Sequence, residues 1–241
     1  MLLYNSFEKV LIIKNYSEPV IFEHNENVYL PSDDTYLIID YFKDNIDDQY
    51  FDGIRLEKIQ KLLDLGTGTG IIALFLQMIK NCLPKFNPMI YASDILKEAI
   101  KSAKKNQQNN KIEGKINFIQ SNLFDSFPPS LKESFNIIIF NPPYLPSFQP
   151  NEKSINKLRA SDITWDGGKK GIEILTRFIK QVKNFLILKK ESYIYYICSD
   201  KADLKQLYEF IYHEGFKNTI LAKKHLFFED IFLNRIEYNI G

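Results

Sequence analysis

The segment that most constrains the fold runs from Lys61 to Lys80, where a strand-like run, a glycine-rich loop and a helix-like run follow one another. The apolar "KLLDLG" (61–66) is typical of a buried strand, and "GIIALFLQMIK" (70–80) is long enough for a helix. The same order recurs, with predicted strands at 88–95, 115–124, 137–140 and 192–199 and predicted helices at 96–110, 171–188 and 201–216. Such alternation predicts an α/β fold whose mostly parallel sheet has helices on both faces.

Both ends of the chain depart from this alternation. The runs 218–228 and 229–240 predict a C-terminal antiparallel hairpin, and "KVLIIKN" and "PVIFEH" (9–15 and 19–24) predict a short hairpin at the start. Between this hairpin and the core, "LPSDDTYLIIDYF" places Ser32, Asp33 and Asp34 where a helix N-terminus favours a capping residue and acids. We expect one structural domain, in which residues 1–60 pack on a core of residues 61–241.

Charge and cysteine content narrow the function classes. The 241 residues include 31 basic and 30 acidic side chains, so the net charge of +1 gives no overall field for binding nucleic acid or a membrane surface. Cys82 and Cys198 are far apart in sequence and form no ligand-spaced cluster with the three histidines, so we predict no metal site and no disulfide scaffold. This composition, with no window resembling a membrane span or a signal peptide, predicts a cytoplasmic protein.

Polar residues follow the first three predicted strands at the edge where an open α/β sheet binds ligands. In "LLDLGTGTG", Asp64, Gly66 and Gly68 suit a zwitterion such as the methionine part of S-adenosylmethionine, because backbone N–H groups bind a carboxylate and the acid an ammonium. Asp94 suits ribose hydroxyls, and the Asn122 amide suits the edge of adenine. Each has a structural alternative: a packing turn for the glycines, a helix cap for Asp94 and a turn residue for Asn122.

The fourth strand, "IIIF", stops abruptly at Asn141-Pro142-Pro143-Tyr144, because a proline pair cannot continue a sheet. The Asn141 side-chain oxygen and the Pro142 carbonyl are two acceptors on a rigid turn, so they suit the two protons of a planar –NH2 group. The Tyr144 ring suits stacking on the plane of that group. The structural alternative is a strand-terminating turn with buried prolines.

Together, "DLGTGTG", "NPPY" and "WDGGKKGIEIL" resemble the HemK group of class I S-adenosylmethionine-dependent methyltransferases, which modify the glutamine of the Gly-Gly-Gln loop in translation release factors. "VYLPSDDTYLIID" and "KKHLFFEDIF" are similar to the short eukaryotic and archaeal branch. The resemblance implies a Rossmann-like methyltransferase fold, with residues 1–60 covering the cofactor site, and N5-methylation of a protein glutamine.

The resemblance also implies roles for single residues. Asp64, Gly66 and Gly68 would bind the methionine part of S-adenosylmethionine, Asp94 its ribose and Asn122, where the family has aspartate, its adenine. Thr35 would close over the cofactor, and the catalytic and substrate-binding residues would be Asn141, Pro142, Pro143 and Tyr144, with Asn141 also touching the cofactor. The loop 145–168, including Trp165 and Asp166, would lie beside the substrate entrance.

Partners and alternatives follow from the same resemblance. Members of this branch form a heterodimer with a small zinc-binding activator that pairs with the sheet edge, and the substrate would be a release factor. "NPPY" is shared with adenine-N6 methyltransferases, so methylation of DNA or RNA is the alternative function. A second alternative is a S-adenosylmethionine-binding scaffold without catalysis, which the departure at Asn122 favours.

Overall fold

The computed structural model describes residues 18–22, 25–147, 165–187 and 191–239. The helices of these residues are α1 (Asp33–Asp44), α2 (Ile71–Cys82), α3 (Lys97–Asn109), α4 (Glu173–Val182) and α5 (Leu204–His213). The strands are β1 (Tyr50–Phe51), β2 (Ile54–Arg55), β3 (Lys61–Leu65), β4 (Met89–Asp94), β5 (Ile116–Gln120), β6 (Ile137–Phe140), β7 (Tyr193–Ser199), β8 (Phe216–His225) and β9 (Asp230–Tyr238).

A seven-stranded sheet of order β5-β4-β3-β6-β7-β9-β8 forms the centre of the protein. Strands β3 to β7 pair in parallel, whereas β9 pairs antiparallel with both β7 and β8. The predicted parallel sheet and C-terminal hairpin are therefore confirmed. Because β8 runs in the same direction as β7, the turn after β8 lies at the edge formed by the carboxyl ends of the parallel strands.

Successive residues of the central strands point to opposite faces of the sheet, and each face carries its own apolar core. Leu62 and Ile139 belong to the core that packs on α1 and α2. Leu63 and Ile138 belong to the core that packs on α4 and α5. Burial on both faces explains why β3 and β6 have continuous apolar sequences instead of alternating ones.

The structure differs from the predictions in the extent of one helix and of one strand. The predicted helix 171–188 is confined to α4, since Leu186 leaves the helix and forms a β-bridge with Phe135. The strand predicted at 115–124 ends at Gln120, and Leu123 has a positive φ of 49° that no strand accommodates. The first predicted strand of the N-terminal hairpin, 9–15, lies outside the described residues.

The second predicted strand of that hairpin is only partly described, and residues 19–22 form no strand. This segment instead lies against α3, where the Val20 N–H donates to Asn110 Oδ1 at 2.8 Å and the Phe22 N–H donates to Asn106 Oδ1 at 3.0 Å. Asparagine side chains thus take the place of a neighbouring strand. The helix predicted after it is confirmed as α1, although Ser32, the N-cap residue, makes no side-chain capping bond.

The Asp52 carboxylate joins the N-terminal segment to the sheet. Tyr41 of α1 and Tyr195 of β7 donate their hydroxyls to it at 3.0 and 2.7 Å, and Arg235 Nη1 of β9 donates at 2.9 Å. The short β1–β2 hairpin that carries Asp52 was not predicted from the sequence. Among the described residues, no helix combines the length and apolarity needed to cross a membrane.

Candidate active site

A cavity of about 370 Å³ lies at the carboxyl edge of the parallel strands. It brings together side chains from α1, from the loops after β3, β4, β5 and β6, and from the β8–β9 turn. The predicted site residues that line it are Thr35, Gly66, Gly68, Asp94, Asn122, Asn141, Pro142, Pro143 and Tyr144.

Asp64 lies beneath the glycine loop and is 1% exposed, so it supports the cavity from below. Its Oδ2 accepts the Thr67 hydroxyl at 2.6 Å and the Ala73 N–H of α2 at 3.1 Å. Burial raises the pKa of this carboxyl to about 7, and the two hydrogen bonds only partly oppose that rise. In this geometry Asp64 fixes the loop against the first turn of α2, while its predicted contact with an ammonium group stays a prediction.

Gly70 allows the loop to enter α2 at close quarters with α3. It is the N-cap residue of α2 and has a φ of 90°, a left-handed conformation that favours glycine. A Cβ at this position would lie 2.8 Å from Ala103 Cβ of α3. The third glycine of "GTGTG" thus has a packing role, in agreement with the structural alternative for that one residue.

Asp94 connects the glycine loop to the start of α3. Its Oδ2 accepts the Gly68 N–H and its Oδ1 accepts the Leu96 N–H, both at 2.9 Å. Burial raises the pKa of this carboxyl above its ordinary value, and hydrogen bonds from Leu96, Gly68 and Ile95 oppose only part of that rise. Both interpretations of Asp94 are therefore compatible with the structure, because Asp94 lines the cavity and a carboxylate oxygen can accept more than one hydrogen bond.

Apolar side chains flank the exposed Asn122 in the same part of the cavity. Ile95, which follows Asp94 directly, is 45% exposed although it is a large apolar residue, and Leu123 lines the wall beside Asn122. Apolar surface next to an amide edge is the pattern that a flat heterocycle requires. Ile95 was missed in the sequence because it reads there as the last apolar residue of a strand.

Thr35 fixes the orientation of the Asn141 amide. The Thr35 hydroxyl donates to Asp34 Oδ1 at 3.1 Å, so it accepts from Asn141, whose Nδ2 lies 3.2 Å away. This assignment turns the other end of the amide, Oδ1, away from Thr35. Asn141 Oδ1 is buried and has no hydrogen-bond partner among the described residues.

Asp34 also holds the tyrosine of the tetrapeptide. Tyr144 donates its hydroxyl to Asp34 Oδ2 at 3.2 Å, and Tyr29 donates to the same oxygen at 2.9 Å. Burial, and then the nearby Asp34 charge, raise the pKa of both tyrosines, so both remain protonated donors. From the sequence, Asp34 was predicted only as an acid at a helix N-terminus, because its contact with Tyr144 joins residues 110 positions apart.

The segment Trp165–Gly168 packs directly on the tetrapeptide. The Leu145 N–H donates to the Trp165 carbonyl at 3.2 Å, and Asp166 Oδ1 accepts the Ser147 hydroxyl at 2.6 Å. A Cβ at Gly167 would lie 2.8 Å from the Pro143 carbonyl oxygen, so only glycine permits this approach. Trp165 lines the cavity, as its predicted place beside the site requires.

The sheet order and the glycine loop beneath a cavity at the carboxyl edge define a Rossmann-like methyltransferase. The family described as "Methyltransferase small domain" matches residues 50–160. The fold of the Mtq2–Trm112 complex of E. cuniculi, described as methylating the eRF1 translation termination factor, is similar, with a TM-score of 0.60, 20% identity and coverage of 88% of this chain and 99% of that one.

Relatives in sequence show to which group of methyltransferases the chain belongs. The putative protein N5-glutamine methyltransferase of Methanocaldococcus jannaschii is 32% identical over 204 residues, which cover 85% of this chain and 88% of the relative. The chain therefore belongs to the HemK group of methyltransferases. The release factor glutamine methyltransferase of Flavobacterium psychrophilum is 34% identical over 135 residues, and the match spans only 42% of that longer protein.

Proposed function

We propose that this protein transfers a methyl group from S-adenosylmethionine to the side-chain nitrogen of a protein glutamine, in the Gly-Gly-Gln loop of a translation release factor. The observation that carries the proposal is Asn141 Oδ1, a buried acceptor at the wall of the cavity to which no described residue donates a hydrogen bond. A buried acceptor of this kind is costly unless a ligand supplies a donor. A primary amide supplies such donors.

The tetrapeptide acts by orienting the amide. Asn141 Oδ1 and the Pro142 carbonyl accept its two protons, and the Tyr144 ring offers a face for its plane. An amide nitrogen is a weak nucleophile because its lone pair is delocalised, so the site contributes orientation and electrostatic stabilisation of the developing charge. The proton leaves after the transfer, so no strong base is required beforehand.

The cavity fits S-adenosylmethionine by the chemistry of its lining. The backbone of Gly66 and Gly68 would hold the methionine part, Asp94 the ribose hydroxyls, and Ile95 and Asn122 the adenine. When bound, the cofactor supplies an electrophilic methyl group on a positively charged sulfur. Thr35, which reaches Asn141 from α1, would border both the cofactor and the substrate amide.

The substrate assignment is supported by the names of the relatives. The archaeal relative that covers most of this chain is named for protein glutamine, and the bacterial relatives are named for release factors. The similar solved structure is described with eRF1. These assignments belong to those proteins, and we extend them to this chain because it shares their family and presents an unpaired amide acceptor in the cavity.

We also propose a small activator subunit that binds zinc; the presence of a second subunit, Trm112, in the Mtq2 complex that shares the fold supports a partner of this kind. The sheet ends at β5, whose Phe118 and Ile119 are only half-buried. An edge strand of this kind is a template for a partner strand. The apolar residues of "IIDYF" are not available for such a partner, because Ile38, Ile39 and Phe42 are fully buried. The cytoplasm is the compartment we propose for this pair.

The test is methylation of purified release factor by the protein together with its activator and S-adenosylmethionine. Mass spectrometry should find one added methyl on the peptide that contains Gly-Gly-Gln, and none when that glutamine is replaced by leucine. Equal methylation of the leucine variant would contradict the proposal. A DNA or RNA oligonucleotide methylated in place of the factor would favour the adenine-N6 alternative.

A further inference from the structure

We propose that the β8–β9 turn, Leu226–Glu229, is the docking element for the polypeptide that carries the target side chain. Its outer residues, Phe227 and Phe228, would contact apolar surface of the substrate protein, and its inner residue, Glu229, would accept an N–H of the substrate backbone. The inference rests on the proposed function and assigns a substrate-binding surface to the same site.

The turn lies at the mouth of the cavity. Its first and last residues, Leu226 and Glu229, line the cavity together with Asn141 and Tyr144. Their backbones are joined by a hydrogen bond of 2.8 Å from the Leu226 N–H to the Glu229 carbonyl. The two phenylalanines between them therefore form the tip of a tight turn whose base is part of the cavity wall.

This tip is the most exposed apolar surface among the described residues. Phe227 is 97% exposed and Phe228 87%, whereas the next large apolar residue, Tyr212, is 68% exposed. Neighbouring phenylalanines this exposed are unfavourable in water unless a partner covers them, and aromatic side chains are common anchors of protein interfaces. Because the two phenylalanines lie beside the cavity, the partner that covers them is the polypeptide that enters the cavity.

The base of the turn is held in place, so the phenylalanines are presented on a fixed support. The Asp230 N–H donates to Asp200 Oδ1 at 3.1 Å, and Asp230 forms an ion pair with Lys223 at 2.7 Å. Lys224 contacts Asp33 at the start of α1 at 2.6 Å, one residue before the Asp34 that holds Tyr144. A surface fixed in advance loses little conformational freedom on binding.

Glu229 supplies an acceptor on the inner side of the turn. Its Oε2 is buried and has no hydrogen-bond partner among the described residues, as is true of Asn141 Oδ1. Burial, Asp34 and then Glu229 raise the pKa of Tyr144, which places the Glu229 charge near the tetrapeptide. Two buried acceptors in one cavity, each without a donor in the described part of the chain, fit one substrate segment that offers a side-chain –NH2 and a backbone N–H.

The position of the turn distinguishes this occupant from an activator. The activator surface proposed above is β5, at one end of the sheet, whereas β8 lies at the other end. A single small subunit on β5 therefore leaves the turn uncovered. A polypeptide that delivers an amide to Asn141, in contrast, passes Leu226 and Glu229.

The test compares the double variant Phe227→Ser/Phe228→Ser with the wild type, both with the activator and with intact release factor as substrate. We expect the KM for the release factor to rise at least tenfold, while kcat at saturation stays within twofold and calorimetry gives an unchanged affinity for S-adenosylmethionine. Glu229→Gln should lower kcat/KM for the factor and also for a short peptide containing Gly-Gly-Gln. The matched control is Tyr212→Ser, an exposed aromatic residue away from the cavity, which should leave KM unchanged.

An unchanged KM in the double variant, when the wild type is active, would overturn the docking element and leave the proposed function intact. Loss of a wild-type dimer in the double variant, seen by sedimentation, together with an unchanged KM would assign the tip to a second copy of the chain. A wild type that does not methylate the factor would overturn the proposed function itself, and the docking element for this substrate with it.

Discussion

The two halves of the cavity are built in different ways. In the half formed by the glycine loop, contacts join residues close in sequence, such as Asp64 with Thr67 and Asp94 with Gly68, three and 26 positions apart. In the half around the tetrapeptide, the contacts join distant residues. Thr35 and Asn141 are 106 positions apart, and Asp34 and Tyr144 are 110 positions apart. The first half is therefore specified by short sequence patterns, whereas the second exists only once segments more than 100 positions apart are brought together.

Substitution of Asn141 gives the largest expected effect and tests whether the two halves are independent. Asn141→Ala removes the buried acceptor of the tetrapeptide and leaves the glycine loop unchanged. We expect kcat to fall about 10³-fold, the typical cost of losing one such group. The affinity for S-adenosylmethionine should change by no more than about fivefold, since one amide contact is worth only about 1 kcal/mol. Single-turnover kinetics and calorimetry measure the two; a large loss of cofactor affinity would show that the halves are coupled.

Gly70→Ala tests the local half through stability. The new Cβ would lie 2.8 Å from Ala103 Cβ in a backbone conformation with a φ of 90°, so we expect the free energy of unfolding to fall by about 3 kcal/mol. Gly53→Ala is the matched control, because Gly53 has a φ of 83° but no atom within 4 Å of the new Cβ. It should cost only about 1 kcal/mol. Equal losses in urea denaturation would show that close packing on α3 is unimportant.

The pH dependence of stability reports on Asp64. Its pKa is about 7 in the folded protein and near 3.8 in the unfolded chain, so the folded state binds more protons between these values. This contribution to stability is complete below about pH 4 and is lost as the pH rises through 7. Between pH 5 and 8 we expect a loss of about 3 kcal/mol from this group.

Asp64→Asn keeps an oxygen for Thr67 and Ala73 but does not titrate, so it is the control for this effect. Denaturation at both pH values should give a flatter dependence for the variant than for the wild type. Identical slopes would mean that the folded-state pKa of Asp64 is ordinary.

Thr35→Val gives the smallest expected effect and tests the long-range half. Valine has the same shape but cannot accept from Asn141 Nδ2, so the amide loses its fixed orientation. We expect kcat to fall about fivefold, which corresponds to one hydrogen bond of about 1 kcal/mol. Thr35→Ser retains the hydroxyl and should restore most of kcat. If the valine variant were as active as the serine variant, the Thr35 hydroxyl would have no role in positioning Asn141.

The difference between the two halves of the cavity explains which features could be predicted from the sequence. The parallel order, the glycine loop and the polar residues after β3 to β6 were predicted because each depends on a few neighbouring residues. Tyr29, Ile95 and Glu229 were not predicted as cavity residues, because they read as ordinary loop or strand residues until the fold brings them together. The helix predicted at 171–188 was too long, since the apolar residues after α4 pack against Phe135 and not along the helix axis.

The contacts of Asp52 have a consequence for the order in which the protein is completed during synthesis. The glycine loop and the tetrapeptide have both been synthesised before residue 150 is added, but the Arg235 that binds Asp52 is added 183 positions after it. Helix α1, which carries Thr35 and is tied to Asp52 through Tyr41, gains its last fixed neighbour only with β9. A nascent chain thus acquires the segments of the active site early and the contacts that align them last.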